Sequence, residues 1–411
     1  MIEKLRKHAD QIIEYSIRSV LPDKAVARAF DGFCRPKGRL VLLAAGKAAW
    51  QMASAAVEAL GGVDEGMVIT KYGHVKGDIP GVTCFEAGHP VPDENGFEAT
   101  KKALGMVSGL SADDTVIFLL SGGGSALFEY PLIPGEELAD ITEQLLASGA
   151  GIIEINTVRK RLSGVKGGKF ALACASARVY SVILSDVLGD RPDMIASGPA
   201  YPDASTCAEA QEIAERYGLR LSDKARALLS EETPKELANV ETVICGSAAE
   251  LCEAAAVKCG ELGYRPVIIT DCLDCEASDA GHMLSSLAKE HSADGENMAF
   301  IAGGETVVHL RGKGLGGRNQ ETALAAAEGI AGLDAAVFSV GSDGTDGPTD
   351  AAGGYVDGET TEEMKRAGVD PSAYLENNDS YHALEAVGGL IMTGPTGTNV
   401  NDVAVALISA E

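Results

Sequence analysis

Val116-Ile-Phe-Leu-Leu-Ser-Gly-Gly-Gly-Ser125 decides how this chain is read. Residues 116–120 are all bulky and apolar, without alternation, so they read as a short, fully buried strand. The strand stops at Ser121, Gly122, Gly123, Gly124 and Ser125. Consecutive glycines leave backbone amides uncovered, and such amides can cradle an anion, usually a phosphate. A tight turn at a strand end would use the same residues. The pattern recurs: Leu40–Ala45 ends at Gly46-Lys47, Met67–Thr70 at Lys71, Val182–Leu184 at Ser185-Asp186, and Val243–Cys245 at Gly246. Val267–Thr270 ends at Asp271, Phe300–Ala302 at Gly303-Gly304-Glu305, and Ala336–Val340 at Gly341. Helical patterns lie between most of these strands, which predicts open, mainly parallel α/β sheets with ligands at the carboxyl ends.

A chain of 411 residues exceeds one typical core, so two domains are expected. The polar, apolar-poor stretch 230–240 places the break, giving residues 1–236 and 237–411, with the last segment free to pack back on the first domain. An amphipathic pattern over 2–20 predicts a helix lying on the first domain. The net charge of -26 excludes nucleic acid and anionic membrane as partners. Nine scattered cysteines and a charged start without a secretory leader point to reduced thiols and a cytoplasmic protein. Cys272-Leu-Asp-Cys275 is a lone CxxC with no second pair to complete a zinc site. No apolar run approaches the roughly 20 residues that span a bilayer.

Against that acidic background the cations stand out. Lys47 falls at a helix start, where the macrodipole disfavours it and an anionic ligand would favour it. Arg159, Lys160, Arg161, Lys166 and Lys169 fall within eleven residues, as a binding island or as a solvated basic face. No P-loop fits there, because Ser163 stands where the first glycine belongs. Pro131 and Pro134 delay the next long helix to about 136–148, so the glycine triplet is not a dinucleotide-binding turn. His89-Pro-Val-Pro-Asp93 reads as a rigid loop, with His89 either a substrate contact or, as loop histidines more often are, structural. Asp186 and Asp190 follow a strand and are candidates for Mg²⁺ or for turn capping. Gly312-Lys-Gly-Leu-Gly-Gly317 matches GxGxxG between a strand-like stretch (306–310) and a helix (319–330). That strand alternates in polarity and the expected acid is badly placed, so the loop reads as an anion clamp with Arg318 at its exit. Asp343, Asp346 and Asp350 lie within eight residues, as metal ligands, as contacts to a substrate hydroxyl, or as Asp-Gly turn acids.

Taken jointly, these residues resemble the glycerate 2-kinases built from an N-terminal Rossmann-like domain and a C-terminal MOFRL domain. The likeness covers nearly the whole chain. It rests on Gly46-Lys-Ala-Ala49, His89-Pro-Val-Pro-Asp93, Ser121-Gly-Gly-Gly-Ser-Ala-Leu127, Ile155-Asn-Thr-Val-Arg-Lys160 and Ser185-Asp-Val-Leu-Gly-Asp190. It rests further on Gly303-Gly-Glu-Thr306 through Gly316-Gly-Arg-Asn-Gln-Glu321, Asp343-Gly-Thr-Asp-Gly-Pro-Thr-Asp350 and Pro395-Thr-Gly-Thr-Asn399. The resemblance implies two α/β domains with an active cleft between them, and transfer of the ATP γ-phosphoryl group to the 2-hydroxyl of D-glycerate with Mg²⁺. It implies that Lys47 and Arg318 carry activity.

On that reading Lys47, Arg318 and Asp186 are the catalytic candidates. Ser121, Gly122, Gly123, Gly124, Ser125, Arg159, Gly314, Gly316, Gly317 and Asn319 would bind substrate or phosphate. Asp190 and Asp343 would hold the metal, with Glu305 and Glu321 as further polar contacts. The partners are small molecules, ATP and D-glycerate, and a homodimer is one assembly the reading allows. Two rivals remain: an NAD(P)-dependent hydroxypyruvate reductase, which the GxGxxG match supports, and a non-catalytic sugar- or nucleotide-sensing protein on the same scaffold.

Overall fold

The computed structural model describes residues 2–185, 187, 189 and 191–410. The first sheet contains β1 (Leu40–Ala45), β2 (Glu65–Lys71), β3 (Val82–Ala87), β4 (Thr115–Leu120), β5 (Arg178–Ile183) and β6 (Val240–Ile244). Their order is β3-β2-β1-β4-β5-β6, with every pair parallel. This is the doubly wound, Rossmann-like arrangement, whose strand order reverses between β1 and β4. Those two strands are buried at every position, as their unbroken apolar sequences require. Phe118 on β4 packs against Phe128 and Phe170 with ring centroids 5.5 and 4.5 Å away, fixing the strand's exit against the core below it.

The second sheet contains β7 (Arg265–Leu273), β8 (Met298–Gly304), β9 (Ala335–Gly341), β10 (Gly353–Asp357), β11 (Leu390–Ile391) and β12 (Asp402–Ile408), in the order β11-β10-β9-β12-β8-β7. Only β7 and β8 pair in parallel. β12 runs antiparallel between β8 and β9, and β10 is antiparallel to β9 and β11. The expectation of parallel sheets therefore fails here. The short return after β9 builds a hairpin, since only parallel pairing needs a long crossover.

The chain divides into two compact units, residues 22–245 and residues 1–21 with 246–411. The break expected at 236/237 falls later because β6 completes the first sheet: Val179 N donates to Asn239 O and Cys245 N to Ile183 O, each at 2.7 Å. The polar stretch before it is held within the same unit, where Thr233 Oγ1 donates to Asp203 Oδ2 at 2.7 Å. The first helix, Ile2–Ser19, belongs to the other unit, not to the first domain as expected. It packs on helix Ala248–Glu261, with Lys258 over the Tyr15 ring. The last segment likewise does not return to the first domain, because β12 sits in the middle of the second sheet. Among the described residues no helix is long and apolar enough to cross a membrane.

Candidate active site

β1 and β4 are neighbours with Ala45 opposite Leu120, so their carboxyl-end loops meet where the strand order reverses. The loops interlock. Ser121 N donates to Ala45 O at 3.1 Å, Lys47 N to Gly122 O at 2.9 Å, and Ala48 N to Ser121 Oγ at 3.1 Å. Gly46 has φ +127°, and a methyl group there would lie 2.2 Å from Ser121 Oγ. Gly123 has φ +82°, and a methyl group there would lie 2.9 Å from the His89 ring and 3.2 Å from Lys47 Cγ. Both positions therefore require glycine. The chain then enters a single helical turn, Gly124–Leu127. Gly124 N donates to Ser121 O, while among the described residues the amides of Gly122, Gly123 and Ser125 have no acceptor. Lys47 is exposed, and among the described residues its ammonium makes no hydrogen bond or ion pair. A free cation beside uncovered amides is what an anion site needs.

Neighbouring strand ends add further groups, of which the sequence reading did not select Lys71 and His74. His74 Nδ1 lies 3.0 Å from Lys47 O. His89 is half-buried, and its pKa is lowered first by burial and then by Lys47, Lys71 and His74. Its imidazole is therefore mainly neutral at neutral pH. Asp93 closes the same loop by accepting from Gly96 N at 3.0 Å and Tyr72 OH at 2.6 Å. Lys71 and His74 carry no motif, and only their place just past a buried strand could have marked them.

The basic stretch 159–169 is not a solvated face, because most of its cations are buried against partners. Lys160 is buried and pairs with Asp203 at 3.0 Å. Arg161, also buried, donates to Thr157 O and Ser205 O, each at 2.8 Å. Lys169 closes the end of helix Ile152–Leu162 by donating to the carbonyls of Lys160, Arg161 and Ser163. Lys166 lies fully buried beside Glu129. Burial pulls the pKa values of both Lys166 and Lys169 down to about 8. Lys166 Nζ donates to Ser125 O of the glycine loop at 2.8 Å, and Arg159, from a partly exposed position, donates to the same carbonyl through Nη2 at 3.1 Å. Ser125 Oγ also lies 3.1 Å from Ser197 Oγ, which donates to Asn156 Oδ1 at 2.9 Å. Lys47, residues 121–125 and Arg159 are thus brought together in the first unit.

The second unit treats its candidates differently. Arg318 opens helix Arg318–Ala326 and is clasped by Asp402 through Nε (2.5 Å) and Nη2 (3.0 Å) and by Glu305 through Nη1 (3.0 Å). Those carboxylates raise its pKa against the opposing effect of burial, which is the largest single influence. A guanidinium has five N–H donors, so three such bonds leave two. Asn319 is buried: it donates to Asp346 and accepts from Ser339 Oγ at 2.6 Å, so its side chain is committed within its own unit. Glu321 is also buried and meets Asn378 Nδ2 at 3.4 Å.

The stretch read as an anion clamp is closed over residues 311–315. The amides of residues 311, 312, 313, 314 and 315 all donate to Asn377, Asn378 or Asp379. Methyl groups at Gly314, Gly316 and Gly317 would lie 2.3, 2.2 and 2.3 Å from Asp379, Ser380 and Asp346. Those glycines permit close packing of chain on chain, while among the described residues the amides of Gly316 and Gly317 have no acceptor. Nor is 306–310 a strand, since only Val307 bridges, to Glu276. The three acids after β9 do three separate jobs. Asp346 accepts from Asn319 N and Gln320 N at a helix start, Asp350 accepts from Tyr381 OH, and Asp343 Oδ1 accepts from Thr345 N at 2.9 Å. Asp343 Oδ2 takes no hydrogen bond among the described residues. Asp186 and Asp190 lie outside the described residues. Among the described residues no three His, Cys, Asp or Glu side chains form a metal-holding group.

Residues 8–230 match the DUF4147 family, described as a domain of unknown function, and residues 298–402 match the MOFRL family. The chain is 51% identical to the D-glycerate 2-kinase of Thermotoga maritima, covering 99% of each. Its fold matches the crystal structure of a Thermotoga maritima glycerate kinase with a TM-score of 0.95 at 50% identity, over 99% of this chain and 100% of that one. It is also 41% identical, over 97% of its length and 93% of the other's, to an Agrobacterium vitis protein provisionally named a hydroxypyruvate reductase.

Proposed function

The chain belongs to the glycerate kinase family that joins a DUF4147 domain to a MOFRL domain, and from that premise we propose that it transfers the γ-phosphoryl group of ATP to the 2-hydroxyl of D-glycerate. It is an enzyme, a kinase. One observation carries the residue-level reading: an exposed Lys47 stands beside the acceptor-free amides of Gly122, Gly123 and Ser125 where the strand order of the first sheet reverses.

Phosphoryl transfer needs positioning and positive charge on the moving oxygens more than it needs a strong base. Lys47 supplies that charge and Arg159 borders the loop. The amides of Gly122, Gly123 and Ser125 hold phosphate oxygens. Arg318 acts through its two uncommitted N–H donors, held in a fixed orientation by Asp402 and Glu305. Neutral His89, packed over Gly123, is suited to accept a hydrogen bond from a substrate hydroxyl.

Mg²⁺ is usually held by one or two carboxylates plus substrate phosphates, and Asp343 with its uncommitted Oδ2 fits one such place. Bound there, the ion would neutralise phosphate charge. Asp186 and Asp190 stay candidates for the metal or for the hydroxyl. We place the enzyme in the cytoplasm, with its cysteines as thiols.

Incubation with ATP, Mg²⁺ and D-glycerate, followed by enolase without a mutase, yields phosphoenolpyruvate only if the product carries phosphate at position 2. No phosphoenolpyruvate while ATP is consumed would move the acceptor to another hydroxyl. The reductase reading is weakened because 306–310 is not a strand and the amides of residues 311–315 are taken. Hydroxypyruvate-dependent loss of nicotinamide absorbance without ATP would restore it. Light scattering on the purified protein distinguishes monomer from homodimer.

A further inference from the structure

Behind the glycine loop lies a buried charge group that phosphate binding, as read above, does not use. The carbonyl of Ser125 accepts from two cations at once, Lys166 Nζ at 2.8 Å and Arg159 Nη2 at 3.1 Å. The Lys166 ammonium is fully buried, reaches Phe128 O at 3.3 Å and stands 3.1 Å from Glu129 Oε2. Arg159 Nη2 is 3.8 Å from the same oxygen, and Glu129 is itself fully buried. Satisfaction is incomplete: among the described residues neither Glu129 oxygen receives a well-aligned hydrogen bond, and Arg159 Nε is buried without an acceptor.

Buried ion groups of this kind are poor devices for stability, and apolar residues of similar volume commonly replace them without loss. Two cations facing one carboxylate leave net positive charge, and both hold the carbonyl of Ser125, whose own amide has no acceptor among the described residues. A carbonyl drawn inward by both cations also fixes which way the following turn faces.

We propose that Lys166, steadied by Glu129, is a positioning residue for phosphate binding: together with Arg159 it pins the Ser125 carbonyl so that the amides of Gly122, Gly123 and Ser125 stay turned outward, and it supplies positive charge behind them. The inference rests on the reading of this loop as the phosphate site.

The test uses the full-length wild type, Lys166→Met, Lys166→Arg and Glu129→Gln, with KM for ATP, KM for D-glycerate and kcat measured for each. Loss of a hydrogen-bonding cation costs about tenfold, so Lys166→Met is expected to raise KM for ATP by about that factor and to leave KM for D-glycerate within about twofold. Lys166→Arg recovers most of the loss. Glu129→Gln removes the negative charge and keeps the cations, so its KM for ATP stays level or falls. A purely packing role would move Lys166→Met and Glu129→Gln in the same direction and both substrates together. If Lys166→Met does not fold, a KM for ATP raised in Glu129→Gln overturns the proposal and a level or lowered one supports it. A folded Lys166→Met with wild-type KM for ATP also overturns it. A wild type that binds no ATP overturns the parent reading instead.

Discussion

At the rim of the first sheet, Lys47 stands exposed beside three amides without acceptors. At the rim of the second sheet, Arg318 is clasped by two carboxylates and the amides of residues 311–315 are all taken. Both rims draw on the same kinds of residue, glycines next to cations at the ends of buried strands. A folded chain satisfies nearly all its polar groups internally, so those left over are the informative ones. Among the described residues the first rim leaves Lys47 and three amides uncommitted, whereas the second commits most of Arg318 and the amides of residues 311–315 to its own structure.

Five measurements bear on this contrast. The largest effect is expected for Arg318→Ala, which strands Asp402, only 6% exposed, without its partner. Removing one member of a buried pair costs about 3–5 kcal/mol, so the urea midpoint should fall sharply along with activity. A wild-type midpoint would place Arg318 with the uncommitted groups. Lys47→Ala should show the converse. Loss of a charged donor at a transferring group costs about 2.7–4 kcal/mol in kcat, while the midpoint stays within about 0.5 kcal/mol of wild type.

Third comes the pH dependence of the buried Lys166, which faces Glu129 and Arg159. In the folded protein it is charged only up to about 8, against 10.5 unfolded. Between those values the unfolded chain holds the extra proton, so stability relative to Lys166→Met rises with pH, by at most about 3 kcal/mol. A flat difference from pH 8 to pH 10.5 would mean that Lys166 keeps its proton. Fourth, Gly314→Ala should cost about 1–3 kcal/mol of stability through overpacking against Asp379, with KM for ATP unchanged. A raised KM at normal stability would reopen that loop as a ligand site. The smallest effect is expected for Arg311→Ala and Lys313→Ala, each within about 0.5 kcal/mol and each leaving KM for ATP nearly as it was.

What could be read in advance follows from range. β1 and β4 were legible because an unbroken apolar run that stops at glycine is a local signal, and the place of Lys47 at the rim was legible because it stands just past one. β6 was assigned to the wrong unit because an edge strand is half-exposed and its apolar pattern is weak. The fate of the cations at 159–169 depended on Glu129 and Asp203, distant in sequence, and no spacing rule announces such partners. The GxGxxG stretch was opaque for the same reason: residues 377–379 take the amides of residues 311–315 from more than sixty positions away.

The placement of β12 governs the order in which the molecule can be made. Residues 402–408 lie between β8 and β9, so until they are synthesised those two strands have no neighbour to join them. Residues 22–245 already contain every strand of their own sheet and can settle while the ribosome is still working. Removing residues 402–410 should therefore leave a first half that resists protease and a second half that is digested.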